Sequence, residues 1–148
     1  MKVVIGSDHG GFQLKNEIVQ LLVELQVNYQ DLGVFTQESS DYPDIAARVA
    51  RAVAAGEFDR GILLCGTGIG VSIAANKVRG IRAALCHDTY SARMAMEHNN
   101  SNILTMGGRV VGPDLAREIV KAWLETSFSS AERHARRVSK IAALEGSN

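Results

Sequence analysis

The sequence predicts an α/β protein, a three-layer α/β/α sandwich that is Rossmann-like and doubly wound on a five-stranded parallel sheet, with an extra C-terminal helix. Three observations carry this. Five short apolar runs recur along the 148 residues, each is followed by a stretch with helical spacing, and four of the runs end in polar residues. Such alternation implies right-handed crossovers between parallel strands, with helices on both faces of the sheet.

The first run, Val3-Val4-Ile5, breaks at Gly6-Ser7-Asp8-His9-Gly10-Gly11, where glycine supplies the backbone freedom of a strand-to-helix turn. From Phe12 to Leu25, Leu14, Ile18, Leu21, Leu22 and Leu25 recur at helical spacing, with Lys15, Asn16, Glu17 and Glu24 between them on what reads as the polar side. Val27–Leu32 is the second strand. Ser40, Asp41 or Tyr42-Pro43 starts the next helix, Ile45, Val49 and Val53 keep its register, and Gly56 ends it. Ile62–Cys65 is apolar throughout, as in a strand covered on both faces, and leads through Gly66-Thr67-Gly68-Ile69-Gly70 into a helix over Val71–Lys77. Ala83–Cys86 reads as a fourth buried strand, Thr89–His98 as a helix, Ile103–Met106 as the fifth strand and Leu115–Glu125 as its helix. The tail, residues 129–148, carries Val138, Ile141, Ala142 and Leu144 on one stripe and has no place in the sheet. A helix left over in this way is expected on a partner subunit or on the chain's own body.

Sixteen Lys plus Arg balance sixteen Asp plus Glu, so no net field draws the chain to nucleic acid or to an anionic membrane. Any anion recognition must be local. With 46% hydrophobic and 22% charged residues the chain is a folded domain spanning 1–148, without a second domain for a separate substrate. The longest uncharged run, Gly61–Asn76, is too short and too interrupted by glycine for a membrane span, and the start lacks the apolar stretch of a secretory signal. A cytoplasmic protein is expected. Cys65 and Cys86, without CxxC spacing, read as thiols in a reducing compartment.

Ligands of open α/β sheets bind beyond the carboxyl ends of the strands. The sequence puts Ser7-Asp8-His9, Cys65-Gly66-Thr67-Gly68, Cys86-His87-Asp88 and Gly107-Gly108-Arg109 there, and His98-Asn99-Asn100 closes the helix before the fifth strand. One crevice shared by all of these loops is expected. The loop Gly66–Gly70 points several backbone N–H groups at one place, which favours an anion and would favour a thiolate at Cys65, able to act as base or nucleophile. Cys65 read as a small buried hydrophobe is the competing assignment, and Cys86, with no glycine loop after it, is read as core. A dinucleotide site fits poorly, because the third small residue of G-x-G-x-x-G/A would fall at Val71. The candidate ligands show no recognised zinc spacing. His9 and His98 are each weak evidence, but two histidines, a carboxylate and a thiol in one crevice suit acid–base catalysis. Arg133 and Arg137 stack at i, i+4, which suits a phosphate, although a solvated basic face with Glu132 pairing Arg136 is the alternative.

These motifs together resemble the type B ribose-5-phosphate isomerases, a group that includes galactose- and allose-6-phosphate isomerases. The resemblance runs from end to end. It rests on Gly6–Gly11, Asp41-Tyr42-Pro43, Cys65–Gly70 with Ser72–Lys77, His98-Asn99, Gly108-Arg109-Val110, and Arg133-His134 with Arg137. It implies an aldose–ketose isomerase without metal or organic cofactor, interconverting ribose 5-phosphate and ribulose 5-phosphate of the pentose phosphate pathway through an enediolate. In that family the residue matching Cys65 is the proton-transfer base. The amides of Gly66, Gly68, Ile69 and Gly70, with Thr67, would stabilise the enediolate, and the residue matching His98 opens the furanose ring. Asp8, His9, Tyr42, Asn99 and Arg109 would contact the sugar, with Arg133, His134 and Arg137 at the phosphate end. The arginines come from a partner subunit, so the resemblance implies a homodimer with shared sites, or a dimer of dimers. A hexose-phosphate isomerase of the same family and a non-catalytic sugar-phosphate-binding module are the competing functions.

Overall fold

In the computed structural model, which describes residues 1–146, side-chain alternation along the strands decides the layering. Strands β1 (Lys2–Ser7), β2 (Asn28–Asp31), β3 (Arg60–Cys65), β4 (Ala83–Leu85) and β5 (Ile103–Gly107) form one parallel sheet in the order β2-β1-β3-β5-β4. The helices are α1 (Phe12–Glu24), α2 (Tyr42–Ala54), α3 (Ile69–Ala75), α4 (Thr89–Glu97), α5 (Pro113–Glu125) and α6 (Glu132–Leu144). Val3, Ile5, Ile62, Leu64, Leu104 and Met106 face α1, α4 and α5 in one core. Val4, Leu63, Cys65 and Ile103, the alternate positions, face α2 and α3 in the other. Both faces are covered, which is why the central strands read as unbroken apolar runs.

The strand and helix pattern of the sequence is present, with differences at its margins. β4 is a three-residue edge strand whose Leu85 is exposed, not a buried one; Cys86, just beyond it, is the buried residue. The first helical position of α5 is Pro113, two residues before the predicted start, because a ring that fixes φ and lacks an N–H fits a first turn. Lys15, placed by the pattern on the polar side of α1, is fully buried. The tail helix α6 lies on its own chain at two points: His134 is buried, and Glu145 just past its end accepts from the Gly80 amide at 2.8 Å. Its apolar stripe stays open, with Ile141 41% and Leu144 69% exposed. Ser147 and Asn148, the end of the predicted tail, lie outside the described residues.

Strand order reverses between β1 and β3. From β1 the chain crosses by α1 to β2 on one side, and from β3 it crosses by α3 on the opposite face to β4 on the other side. The two connections diverge and leave a crevice at the carboxyl ends of β1 and β3.

Trp123 of α5 anchors the larger core. It is fully buried, its Nε1 donates to Ser101 Oγ at 2.8 Å, and Arg60 lies across its ring 5.3 Å from the centre. Trp123→Ala should cost about 3–5 kcal/mol, read as a lower midpoint of urea unfolding with an unchanged denaturant slope.

Candidate active site

The crevice is built from backbone first. After β1 the Asp8 amide donates to the Leu64 carbonyl at 3.1 Å, and Asp8 Oδ1 accepts from the Gly11 amide at 3.1 Å, closing a 3₁₀ turn over His9–Gly11. That turn packs on the β3 loop so closely that a Cβ on Gly10 would stand 2.9 Å from the Gly66 nitrogen. After β3, Gly68 takes φ +76° and directs its N–H to Cys65 Sγ at 3.1 Å. Cys65 is buried, at 4% exposure, and its sulfur accepts that hydrogen bond. Thr67 is exposed, and its Oγ1 accepts from the Ile69 amide at 3.3 Å. Gly70 backs onto Tyr42, whose ring carbons would be 2.6 Å from an added Cβ, and the Arg109 guanidinium lies over Gly66. Asp8, His9, Tyr42, Cys65, Gly66, Thr67, Gly68, Ile69, Gly70 and Arg109 therefore gather at one edge.

Cys86 packs in the other core. Burial, with the Asp88 carboxylate adding to it, pushes its thiol up to about 11, so it stays protonated near neutral pH and belongs to the core.

His98 and Asn99 are not in this crevice, a correction to the single shared pocket expected from the sequence. The loop after α4 returns to the amino-terminal edge of the sheet, where the Asn102 carbonyl accepts from the Gly61 amide at 2.8 Å. Cys65 lies four residues further along β3, about 13 Å away at ~3.3 Å per residue. What the sequence separated, the fold brings together at that second edge. The rings of His98 and His134 stack with centroids 4.2 Å apart at 9°, and the Ser129 amide donates to the Glu97 carbonyl at 3.0 Å, steering α6 across the end of α4. Burial, followed by the neighbouring His98, Arg133 and Arg137, lowers the affinity of His134 for a proton below that of an ordinary histidine. Arg133 and Arg137 are exposed, and neither has an ionic partner among the described residues; no Glu132–Arg136 pair forms there. Within one chain, the crevice around Cys65 and the His98–His134 stack with Arg133 and Arg137 thus lie on opposite edges of the sheet.

Several contacts around the crevice escaped the sequence reading. His87 Nε2 accepts from the Gly107 amide at 3.1 Å and pins the end of β5, and Gly107 in turn packs on Thr67. Ser40 donates its amide to His9 Nδ1 at 3.2 Å, and the buried hydroxyls of Ser7 and Ser40 have no partner among the described residues. His87 stood in the strand-end motif Cys86-His87-Asp88 and Ser40 was a candidate start of the next helix, but neither pattern points to these contacts.

Comparison with known proteins supplies first the class, which is that of the sugar isomerases. Residues 3–141 match the model of the Ribose/Galactose Isomerase family. The chain is 52% identical over 144 residues to ribose-5-phosphate isomerase B of Escherichia coli, covering 97% of this chain and 96% of that one. It is 48% identical over 129 residues to a D-erythrulose-4-phosphate isomerase of Pectobacterium atrosepticum, covering 86% and 85%. Among solved structures, ribose-5-phosphate isomerase B of Clostridium thermocellum superposes with a TM-score of 0.97 at 55% identity, covering 99% of each chain. That of Mycoplasma genitalium, described with bound ribulose-5-phosphate, superposes with a TM-score of 0.94 at 40% identity, covering 99% of this chain and 97% of that one. The chain belongs to the Ribose/Galactose Isomerase family and is an enzyme of the isomerase class. Among the described residues, no helix is long and apolar enough to cross a membrane.

Gly56 and Gly68 share φ +76°, but a Cβ on Gly56 meets nothing within 4 Å whereas one on Gly68 would stand 2.6 Å from the Met106 carbonyl carbon. Gly56→Ala should cost only the conformational term, about 1–2 kcal/mol, with isomerase turnover unchanged. Gly68→Ala should lower the melting temperature further and depress turnover, because backbone must move beneath Cys65. Equal effects on melting and turnover in the two variants would refute this reading of the loop.

Proposed function

We propose that the enzyme interconverts D-ribose 5-phosphate and D-ribulose 5-phosphate through an enediolate, with Cys65 as the base. The observation that carries the assignment is Cys65 Sγ, buried and hydrogen-bonded at the mouth of the Gly66–Gly70 loop, in a chain of this family. In the forward direction the thiolate takes the proton from carbon 2 of the open-chain aldose and returns it to carbon 1, while a proton passes from the oxygen on carbon 2 to the oxygen on carbon 1. Loop amides and Thr67 hold the negative charge that develops on those oxygens. Asp8, His9, Tyr42, Asn99 and Arg109 orient the sugar, and His98 assists ring opening. Arg133 and Arg137, with His134 beside them, take the phosphate in parallel guanidinium forks.

This chemistry needs the Cys65 crevice and the His98–Arg137 cluster, two half-sites on opposite edges of one chain, within one sugar phosphate's reach, so the active unit we propose is a homodimer in which α6 and the end of α4 from one copy complete the crevice of the other. Exposed Ile69 and Ile73 on α3, and Ile141 and Leu144 on α6, supply apolar surface for such a contact. The free buried thiols agree with a reducing, cytoplasmic setting. A four-carbon substrate is the second reading, favoured by the relative described as a D-erythrulose-4-phosphate isomerase. Coupled assays with ribose 5-phosphate, erythrulose 4-phosphate, allose 6-phosphate and galactose 6-phosphate decide between chain lengths, and binding without turnover would indicate a sensor instead.

Cys65→Ala should lower kcat by about 10²–10⁴-fold while ribose 5-phosphate still binds, as isothermal titration would report. Near-normal turnover in that variant removes Cys65 as the base.

The shared site has its own test. Cys65→Ala chains and Arg133→Ala/Arg137→Ala chains, each nearly inactive alone, are unfolded and refolded together in equal amounts. Half of randomly paired dimers are mixed, and each carries one undamaged site, so roughly a quarter of wild-type sites should reappear. Verified mixed dimers without recovered activity would place all of these residues in one chain's site.

A further inference from the structure

The ion pair between α1 and β2 takes no part in the chemistry above, yet it is tied to the site. Lys15 is wholly buried, and its Nζ donates to Asp31 at 2.9 Å (Oδ1) and 2.7 Å (Oδ2) and to the Val34 carbonyl at 2.7 Å, 4.8 Å from the centre of the Phe35 ring. Asp31 Oδ1 also accepts from the Gly33 amide at 2.8 Å. Gly33 and Val34 are in turn bonded to Ser7: the Ser7 amide donates to the Gly33 carbonyl at 2.7 Å, and the Val34 amide to the Ser7 carbonyl at 2.9 Å. One ammonium thus gathers the start of the β2–α2 segment and fastens it to the end of β1, next to Asp8 and His9. Further along the same segment, the Ser40 amide donates to His9 Nδ1 at 3.2 Å. A backbone amide only donates, so Nδ1 is the unprotonated nitrogen and the neutral ring carries its proton on Nε2.

We propose that Lys15 and Asp31 are positioning residues for His9: by holding residues 31–35 they present the Ser40 amide to Nδ1 and keep Nε2–H as a hydrogen-bond donor to a sugar oxygen. The proposal rests on the reading of His9 as a substrate contact. It also accounts for a lysine buried at a position where an apolar side chain would fill the space at comparable stability.

Long-range proton–nitrogen NMR on protein labelled at histidine, with His9 assigned from a His9→Gln variant, tests it. The wild type should show a single His9 tautomer protonated on Nε2. In Lys15→Met/Asp31→Leu, which avoids a lone buried charge, His9 should show both tautomers. Its kcat/KM on the cyclic aldose should fall about 10- to 100-fold, the scale of a small misplacement of a contacting group. Added to His9→Gln, the same pair of changes should cost nothing further, since the effect passes through His9. If the pair variant fails to fold, Ser40→Pro deletes the amide donor directly and should mix the tautomers, whereas Ser40→Ala, which keeps the donor, should not. A wild type protonated on Nδ1, an unmixed tautomer in the variants, or an additive loss in the His9→Gln background would overturn the proposal. Mixed tautomers with unchanged kcat/KM would also overturn it, leaving the isomerase reading intact; absence of sugar-phosphate turnover in the wild type would overturn that reading and the positioning role with it.

Discussion

The polarity of a parallel sheet is the constraint on which the rest of this structure depends. Every strand delivers its carboxyl end to one edge, and every crossover helix carries the chain back to the other. Asp8, Cys65 and Gly107, which follow or end strands, must therefore meet at one edge. His98, at the end of a helix, must lie at the opposite one. No local adjustment can change this, because reversing one element would break the pairing of β3 with both β1 and β5. The separation of the Cys65 crevice from the stacked His98 and His134 follows from the topology itself.

At the carboxyl edge, precision comes from close backbone approach. Gly10, Gly66, Gly68 and Gly107 lie where a Cβ would meet backbone or a guanidinium within about van der Waals contact, so the His9 turn, the cysteine loop and the end of β5 form one interlocked backbone surface. Thr105 Oγ1 donates to the Gly68 carbonyl at 3.0 Å, holding from below the residue whose amide meets the sulfur. A thiol placed this way is set by covalent geometry and hydrogen bonds, without dependence on long flexible side chains. Cys86, by comparison, has no such loop after it, and burial with a neighbouring carboxylate keeps its thiol protonated.

The amino edge is organised by a single helix end. The turn after α4 brings His98 under His134, and α6 then holds Arg133 and Arg137 outward with no internal partner among the described residues. Two uncompensated guanidiniums one turn apart repel each other, and under the proposed function a bound phosphate would relieve that repulsion. Buried Lys15 shows the same economy inside the fold, one cation satisfied by a carboxylate and a carbonyl so that a loop without regular structure has a fixed start.

The sequence by itself determined the layers and most element positions, because period-2 and period-3.6 apolar patterns are local properties that any fold burying those residues must respect. It also marked Cys65 and its glycine loop, since a strand followed by closely spaced glycines constrains the backbone wherever it occurs. Only the tertiary structure decided which residues meet, as when His98 at the end of α4 stacks on His134 of α6 and not beside Cys65. The sequence marks Cys65 as ending a strand and His98 as closing a helix, yet the meeting of His98 with His134 needs α6 laid across the end of α4. The burial of Lys15 was equally invisible: its position on α1 borders the apolar stripe, and the carboxylate that makes burial tolerable comes from β2, sixteen residues away. Ser40 and His9 meet across a loop with no periodicity, and a contact of that kind exists only once the sheet has brought the two ends together.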